Sequence, residues 1–508
     1  MNVARTWGVA LTGLEGSIVE IEADLSNQLP ELRLIGLPDK ALGEAQLRVR
    51  NATANSGMPL PNRRLTVNLS PASLPKQGSG FDVAIAIASL ATAGGFDLAS
   101  LARTVHLGEL GLDGRLRPVP GVLPAVLAAA RAGMTRVVVP HANGDEARLV
   151  AGITVLSAAT LGDVARWHGC DAPRIDLPPV PSGVIAARPD SPPELADVIG
   201  QREAVDALIA AAAGGHHVLM SGPPGAGKTM LAQRLPGILP PLDEAAALEV
   251  AAVRSLAGEV VVALDRTPPL EAPHHSASMV ALVGGGSKIV RPGAIARATG
   301  GVLFLDEAGE FAGNVLDALR QPLETGSITI HRAGVQATFP ARFQLVAATN
   351  PCPCGNHGVR GGECTCPPQA IRRYLGRLSG PLRDRIDIEL HVERVGAIAA
   401  AATTASVTTA QARRRVRDAR ERAEHRLRET PWSVNAHVSG TWLRQGPCAV
   451  PSAVRRPLDT ALQRGALTLR GYDRILRVAW TLADLGGRAA PDGQDIGRAL
   501  YMKKGTAA

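Results

Sequence analysis

Gly222-Pro223-Pro224-Gly225-Ala226-Gly227-Lys228-Thr229 decides how the centre of this chain folds. A glycine, four residues, then Gly-Lys-Thr is the spacing of a phosphate-binding loop. The flanks agree with that reading. Residues 217–220 are strand-like and apolar, and residues 230–235 suit a helix. A strand running into a glycine-rich turn and then a helix puts backbone N–H groups and a helix N-terminus around one anion. Lys228 carries charge toward the β- and γ-phosphates, and the Thr229 hydroxyl is placed to ligate Mg²⁺.

Two further stretches extend the site. Gly301-Val-Leu-Phe-Leu-Asp306-Glu307 is a buried strand with two carboxylates at its C-terminal end. In an open α/β sheet ligands bind at that edge. Asp306 is expected to hold Mg²⁺, directly or through water, and Glu307 to polarise the attacking water. Phe343-Gln-Leu-Val-Ala-Ala-Thr349-Asn350 is a second buried strand with a polar end. In one sheet with the others, Asn350 lies near the γ-phosphate. This combination resembles the AAA+ ATPases. Asp197-Val-Ile-Gly-Gln201 resembles the segment that cradles adenine in that class, and no guanine-reading Asn-Lys-x-Asp motif is evident. ATP is therefore the expected nucleotide.

The rest of the chain divides by composition. Of 508 residues, 45% are hydrophobic and 20% charged, which describes a globular protein with room for two to four domains. No apolar run reaches the ~18–20 residues that a membrane span needs. No secretory leader is evident at the N-terminus, so a cytoplasmic protein without a membrane partner is expected. Residues 1–170 mix strand and helix patterns. Residues 171–195 hold seven prolines and read as a semi-rigid linker. Residues 196–395 alternate strand and helix, and residues 396–508 read as helical. The fold class is α/β, with a helical C-terminal lid.

The formal charge of +8 is unevenly spread. Residues 396–508 hold 19 Lys/Arg against 9 Asp/Glu, while the rest holds 35 against 37. Such asymmetry favours a polyanion, nucleic acid first, although an ordinary solvated helix gives the same count. Eight of the arginines lie in residues 408–429, one predicted helix, with Asp418, Glu421, Glu424 and Glu429 interleaved. Pairs such as Arg417–Glu421 and Arg420–Glu424 stabilise that helix without a ligand. Aromatics are only 3%, so nucleic-acid contacts are expected through phosphates rather than stacked bases.

Cys352-x-Cys354 and Cys364-x-Cys366 form two close pairs with nine residues between them. Four thiolates suit tetrahedral zinc, although C-x-C is tighter than the usual spacing. Four reduced thiols in a surface loop is the alternative. With four protein ligands such a zinc is structural, not catalytic.

Ala272-Pro-His-His-Ser276-Ala-Ser278, Leu282-Val-Gly-Gly-Gly286 and Leu323-Glu-Thr-Gly-Ser-Ile-Thr-Ile-His-Arg-Ala-Gly334 resemble the helix insertion and hairpin of the magnesium-chelatase and MCM-helicase branch of AAA+ proteins. In rings of that branch both elements point toward the pore. Arg332 on the hairpin and Lys288 beside the glycine run are then the candidate DNA contacts. The resemblance narrows with Arg64-Leu-Thr-Val-Asn-Leu-Ser-Pro-Ala-Ser-Leu-Pro-Lys-Gln-Gly-Ser-Gly-Phe-Asp82, Asn350-Pro-Cys-Pro-Cys-Gly355, Leu378-Ser-Gly-Pro-Leu-Arg-Asp-Arg-Ile-Asp387 and Leu469-Arg-Gly-Tyr-Asp-Arg-Ile-Leu-Arg477. Together these are similar to the ComM/YifB magnesium-chelatase-like family across nearly the whole chain.

That resemblance implies a Lon-protease-like, ribosomal S5-like N-terminal domain, a central AAA+ domain and a helical lid. Arg385 resembles the arginine finger that reaches a neighbouring subunit's ATP, with Arg383 as competitor. Arg470 resembles the second sensor on the lid, with Arg474 and Arg477 one and two turns on. The positions matching the Lon serine and lysine are Gly80 and Leu123, so no protease dyad is expected. Ser79 with Lys76 is a poor substitute, because neighbours in sequence rarely reach the required geometry. The family's described role is a hexameric motor for DNA branch migration in recombination and DNA uptake. Branched or single-stranded DNA, ATP, Mg²⁺ and a homo-oligomer are thus expected. The rival is a chelatase-like ATPase that remodels a protein. A slow nucleotide-switched scaffold is a third reading, against which Glu307 argues.

Overall fold

The computed structural model describes residues 3–36, 39–74, 76, 78–181, 193–286, 290–332, 335–359, 362–395 and 407–504. The N-terminal part is built on a seven-stranded sheet. Its strand order is Glu31–Ile35, Arg64–Ser70, Glu15–Ser26, Ala4–Thr12, Thr104–His106, Arg136–Pro140, Thr154–Ala158. Arg64–Ser70 shows why these residues form strands: Leu65, Val67 and Leu69 alternate with polar neighbours and are buried on one face. Helix Asp82–Ala91, apolar and alanine-rich, is buried along its whole length against the sheet. Strands Glu15–Ser26 and Glu31–Ile35, neighbours in the chain, do not pair with each other. Arg64–Ser70 lies between them, antiparallel to one and parallel to the other. Residues 182–192 of the proline-rich linker lie outside the described residues.

The central part carries a five-stranded parallel sheet in the order Leu270–Glu271, Val302–Leu305, Gln344–Thr349, Val218–Ser221, Ile388–His391. Val302–Leu305 and Gln344–Thr349 are buried at every position, which is why both read as unbroken apolar runs rather than alternating ones. Because the strands are parallel, the ends that lead into Gly222, Asp306 and Asn350 share one edge. The opposite edge faces the C-terminal helices. There Asp387 accepts from His217 N at 3.1 Å and from Arg474 Nη1 at 2.5 Å, tying helix Leu469–Leu485 beneath the sheet.

The two α/β parts share a core. Helix Glu244–Ala257 packs on helix Val122–Arg131, and Ala251, Ala252 and Val261 join Val9, Val122, Leu123 and Val126. Gly121 N donates to Ser255 O at 3.0 Å, and Leu123 N donates to the buried Glu146 carboxylate at 3.0 Å. The position matching the Lon lysine is therefore interface core. Lys76 Nζ donates to the carbonyls of Pro71 and Leu74, while Ser79 donates to Glu109. These two side chains serve different partners and form no dyad.

Helix Thr409–Leu427 begins at a capping box made by Thr408 and Gln411. Several of its arginines are engaged within the fold. Arg413 donates to Gly237 O, Arg420 to Ala212 O and Arg422 to Asp484 O. Each of these carbonyls lies in or beside the last turn of another helix, where unpaired carbonyls favour a cation. Arg426 grips the buried Asp484 at 2.5 Å and lies 4.2 Å over the Trp480 ring. Arg417 pairs with Glu421 at 3.6 Å, but Arg420 turns inward to a carbonyl rather than to Glu424. Among the described residues, Arg414 and Arg428 of the eight carry no such partner. Arg413, Arg420, Arg422 and Arg426 thus hold helices together, while Arg413, Arg414, Arg415, Arg417, Arg422 and Arg428 remain exposed on the outer side of the helix.

Candidate nucleotide-hydrolysis site

Gly225 and Gly227 take φ of +75° and +92°, which turns successive backbone N–H groups inward before helix Lys228–Ile238 begins. Lys228 Nζ donates to Gly222 O at 2.6 Å, Pro223 O at 3.0 Å and Asn350 Oδ1 at 3.0 Å. Burial lowers its pKa, and Asp306 and Glu307 oppose that shift. Thr229 Oγ1 donates to Asp306 Oδ2 at 2.6 Å. A hydroxyl and a carboxylate side by side are the hard oxygen donors that Mg²⁺ takes when phosphates and water complete its shell. Lys228, Thr229, Asp306 and Asn350 thus meet at one point, from three strands.

Glu307 follows Asp306 with a backbone φ of 51°, the one positive value among the described non-glycine residues. Holding a glutamate in that region costs on the order of 1 kcal/mol and is found where function over-determines the geometry. The turn continues through Glu310 N, which donates to Glu307 O at 2.7 Å. The Glu307 side chain is half-exposed and stands 3.1 Å from His275 Nδ1. Gln201 ends the adenine-like segment. Its Nε2 donates to Ala226 O at 3.2 Å and Glu393 O at 2.6 Å, placing residues 197–201 against the loop.

Arg385 and Arg470 lie elsewhere. Arg385 precedes strand Ile388–His391, so it sits at the sheet edge opposite Gly222 in its own subunit. It pairs with Glu324 and donates to Pro381 O at 2.5 Å. Arg383 is occupied by Glu389 at 2.9 Å. Arg470 is 74% exposed and 4.0 Å from Asp384, beside Arg385. Arg474 is tied to Asp387 and Arg477 donates to Val438 O at 2.8 Å, so Arg470, with its long exposed pair to Asp384, is the least engaged of the three lid arginines.

The hairpin is real but shifted. Its strands are Ser327–Arg332 and Val335–Pro340, and Arg320–Thr325 before it is helical. Ile328, Ile330, Ala337 and Phe339 are buried, so one face of the hairpin is core. Arg332 ends the first strand, but its side chain lies outside what is described. Lys288 also lies outside the described residues. The insertion forms a short helix, Met279–Val283, capped by Ser278, and a small ladder in which Gly284–Gly285 pairs with Arg291–Pro292.

Sequence reasoning missed His275 and Glu324. Both sit in stretches recognised for other reasons, the insertion and the approach to the hairpin. Only their proximity to Glu307 and Arg385 gives them meaning.

The sulfurs of Cys352, Cys354, Cys364 and Cys366 all lie within 4.8 Å of one another. Cys352 is 3.3 Å from Cys354 and 3.8 Å from Cys364, and Cys354 is 3.7 Å from Cys364. A tetrahedron with Zn–S of about 2.3 Å has edges of about 3.8 Å, so the cluster fits zinc. His357 N donates to Cys352 Sγ at 3.3 Å, a bond that stabilises a thiolate.

Three magnesium chelatase models of the subunit ChlI match the chain, at residues 21–143, 194–400 and, for its C-terminal part, 406–503. The competence protein ComM of Haemophilus influenzae is 43% identical over 491 residues, covering 96% of this chain and 94% of its own. This chain belongs to the ComM/YifB family. YifB of Escherichia coli is 40% identical over 482 residues, 94% of this chain and 92% of its own. An uncharacterized protein of Mycobacterium tuberculosis is 50% identical over 511 residues, 99% of each chain. The Lon protease of Mycolicibacterium smegmatis is 33% identical over 144 residues, 27% of this chain and 18% of its own. ComM/YifB membership makes the chain a magnesium-chelatase-like AAA+ ATPase that uses ATP and Mg²⁺, with a Lon-like N-terminal part. Among the described residues no helix is long and apolar enough to cross a membrane.

Proposed function

We propose that this chain is a homohexameric, Mg²⁺-dependent ATPase that drives branch migration on DNA during recombination or DNA uptake. One relationship carries the reading. Lys228, Thr229, Asp306, Glu307 and Asn350 gather at one edge of the sheet, while Arg385 stands at the other. A subunit whose own arginine faces away from its own nucleotide is completed by a neighbour.

Thr229 and Asp306 would hold Mg²⁺, which neutralises phosphate charge when bound. Lys228 exchanges a loop carbonyl for a phosphate oxygen. Glu307 takes the proton of the attacking water, and Asn350 orients that water through the same side chain that meets Lys228. Arg385 of a neighbour stabilises charge on the transferred group. Arg470 lies on the same face as Arg385 and serves the same neighbouring site. The four cysteines hold a structural zinc.

The DNA substrate rests on the family's described role and on the competence designation of the ComM relative. The C-terminal charge adds modest support, since Arg420 and Arg426 of helix Thr409–Leu427 are taken up inside the fold while Arg414, Arg415 and Arg417 stay exposed. The test is ATP-dependent dissociation of a synthetic four-way junction, with Glu307→Gln as the inactive control. Loss of the junction with wild type alone is expected. Strong ATPase activity that no DNA stimulates and that leaves junctions intact would instead favour a protein-remodelling ATPase.

A further inference from the structure

We propose that the four-cysteine loop is a zinc clamp on the nucleotide-binding loop: the metal fixes Gly355 against Pro224, so metal occupancy sets nucleotide affinity. The inference rests on reading residues 222–229 as the ATP loop. It goes beyond that reading by giving the cysteine cluster a task in the site.

The argument begins at the strand. Gln344–Thr349 ends beside the first glycine of the loop, and Gly222 N donates to Thr349 O at 3.2 Å. Asn350, the next residue, accepts from Lys228 Nζ at the loop's other end. Two residues later the chain reaches Cys352, which is fully buried. Gly355 follows at φ +80°, its N–H donating to Cys352 O at 3.0 Å. That turn brings the backbone against the loop. A β-carbon added at Gly355 would stand 2.5 Å from Pro224 Cδ and 2.7 Å from Pro224 Cγ, closer than real carbons approach. On its other side Pro224 is held by Arg394, whose Nε donates to the Pro224 carbonyl at 3.1 Å. The middle of the phosphate loop is thus pinched between Arg394 and the cysteine turn.

What holds the turn in place is the cluster. Cys364 and Cys366 arrive from ten residues and more along the chain, and Asn356 Nδ2 donates to Glu363 O at 3.2 Å across the loop they close. Among the described residues, that bond and the contacts at sulfur are the side-chain interactions that join the two pairs. Four cysteines at these spacings give up their protons together only to a cation, so metal binding and closure of the loop go together. Zinc with four thiolates closes the loop and leaves no open coordination position, so its role is mechanical.

The experiment uses full-length protein purified under reducing conditions. Zinc per chain is measured by elemental analysis, and ATP affinity by equilibrium binding in the presence of Mg²⁺. About one zinc per chain is expected. Chelation should weaken ATP binding and added Zn²⁺ should restore it. If the metal-free loop is competent one-tenth of the time, the apparent Kd rises about tenfold. Gly355→Ala should retain zinc yet bind ATP more weakly, which separates the clamp from general unfolding. Lys228→Ala should lose ATP and retain zinc. Protein that contains no zinc, or that binds ATP equally well with and without it, overturns the clamp. Zinc-loaded wild type that binds no ATP overturns the nucleotide reading instead.

Discussion

His275 Nδ1 stands 3.1 Å from Glu307 Oε2, so the carboxylate assigned to the attacking water is engaged by a residue of the insertion around residues 272–286. His275 leads through Ser278 into helix Met279–Val283, and the ladder that follows packs on the hairpin, where Gly284 lies close to Ile330. The insertion is thus in direct contact with both Glu307 and the hairpin. Both side chains are about a third or more exposed, so the pair is worth ~0.2–1 kcal/mol. His275→Ala should raise basal ATP turnover, by no more than about fivefold on that energy, with ATP affinity unchanged. A fall of several orders of magnitude would place His275 among the groups touching the reacting atoms.

Arg385 predicts complementation between subunits. Arg385→Ala should lower turnover by about a thousandfold or more, as loss of a trans arginine does, while ATP binding persists. Glu307→Gln should likewise bind ATP without turning it over. Mixed together, the two inactive proteins should recover ATPase activity, because some interfaces pair an intact Glu307 with an intact Arg385. Mixtures that co-assemble and stay inactive would count against the trans assignment. Glu324→Gln frees Arg385 from its ion pair and leaves the finger itself in place.

The arginine-rich helix should behave as structure. Arg426→Ala strands the carboxylate of Asp484, which is 1% exposed, and removes the cation from Trp480. Breaking a buried pair from one side costs about 3–5 kcal/mol. Thermal unfolding should shift down accordingly, and DNA affinity of the folded fraction should hold. Arg414→Ala, at an exposed position without a partner among the described residues, should leave stability unchanged. A large loss of DNA binding in stable Arg413, Arg414 or Arg417 variants would restore the helix as a nucleic-acid surface.

Acid should weaken the junction between sheet and lid. Burial lowers the His217 pKa to about 4, with Asp387 opposing and Arg474 reinforcing that shift. Its Nδ1 accepts from Leu345 N at 3.0 Å and so must carry no proton. A histidine kept neutral by the fold gives stability that is complete above its unfolded value near 6.5. That stability is lost as pH falls toward the folded value, here over about pH 6.5 to 4, by roughly 2–3 kcal/mol. Asp387 is held far below the usual carboxylate range: burial pushes it up, but the Arg474 guanidinium chiefly outweighs that. Its own contribution is present above its unfolded value near 4 and lost below it. Melting temperature should fall through this window. His217→Asn, which keeps an acceptor without a titrating ring, should flatten the upper part of the curve. A wild-type melting temperature unchanged between pH 7 and 4.5 would refute the argument.

The sequence by itself determined the loop 222–229, the acidic and polar strand ends at Asp306, Glu307 and Asn350, the four-cysteine set and the division into α/β and helical parts. Each is written in neighbouring residues, because strand burial, helix periodicity and phosphate binding act over a few positions. Other features join residues far apart in the chain. Arg64–Ser70 enters between two strands that are neighbours in the chain. Leu123 becomes an interface with Ser255. Arg420 and Arg426 turn from apparent surface charge into partners of a helix end and a buried aspartate. His275 meets Glu307, Glu324 meets Arg385, and Gly355 meets Pro224. These meetings follow from which whole faces are buried against which, and that is settled only when every element packs at once.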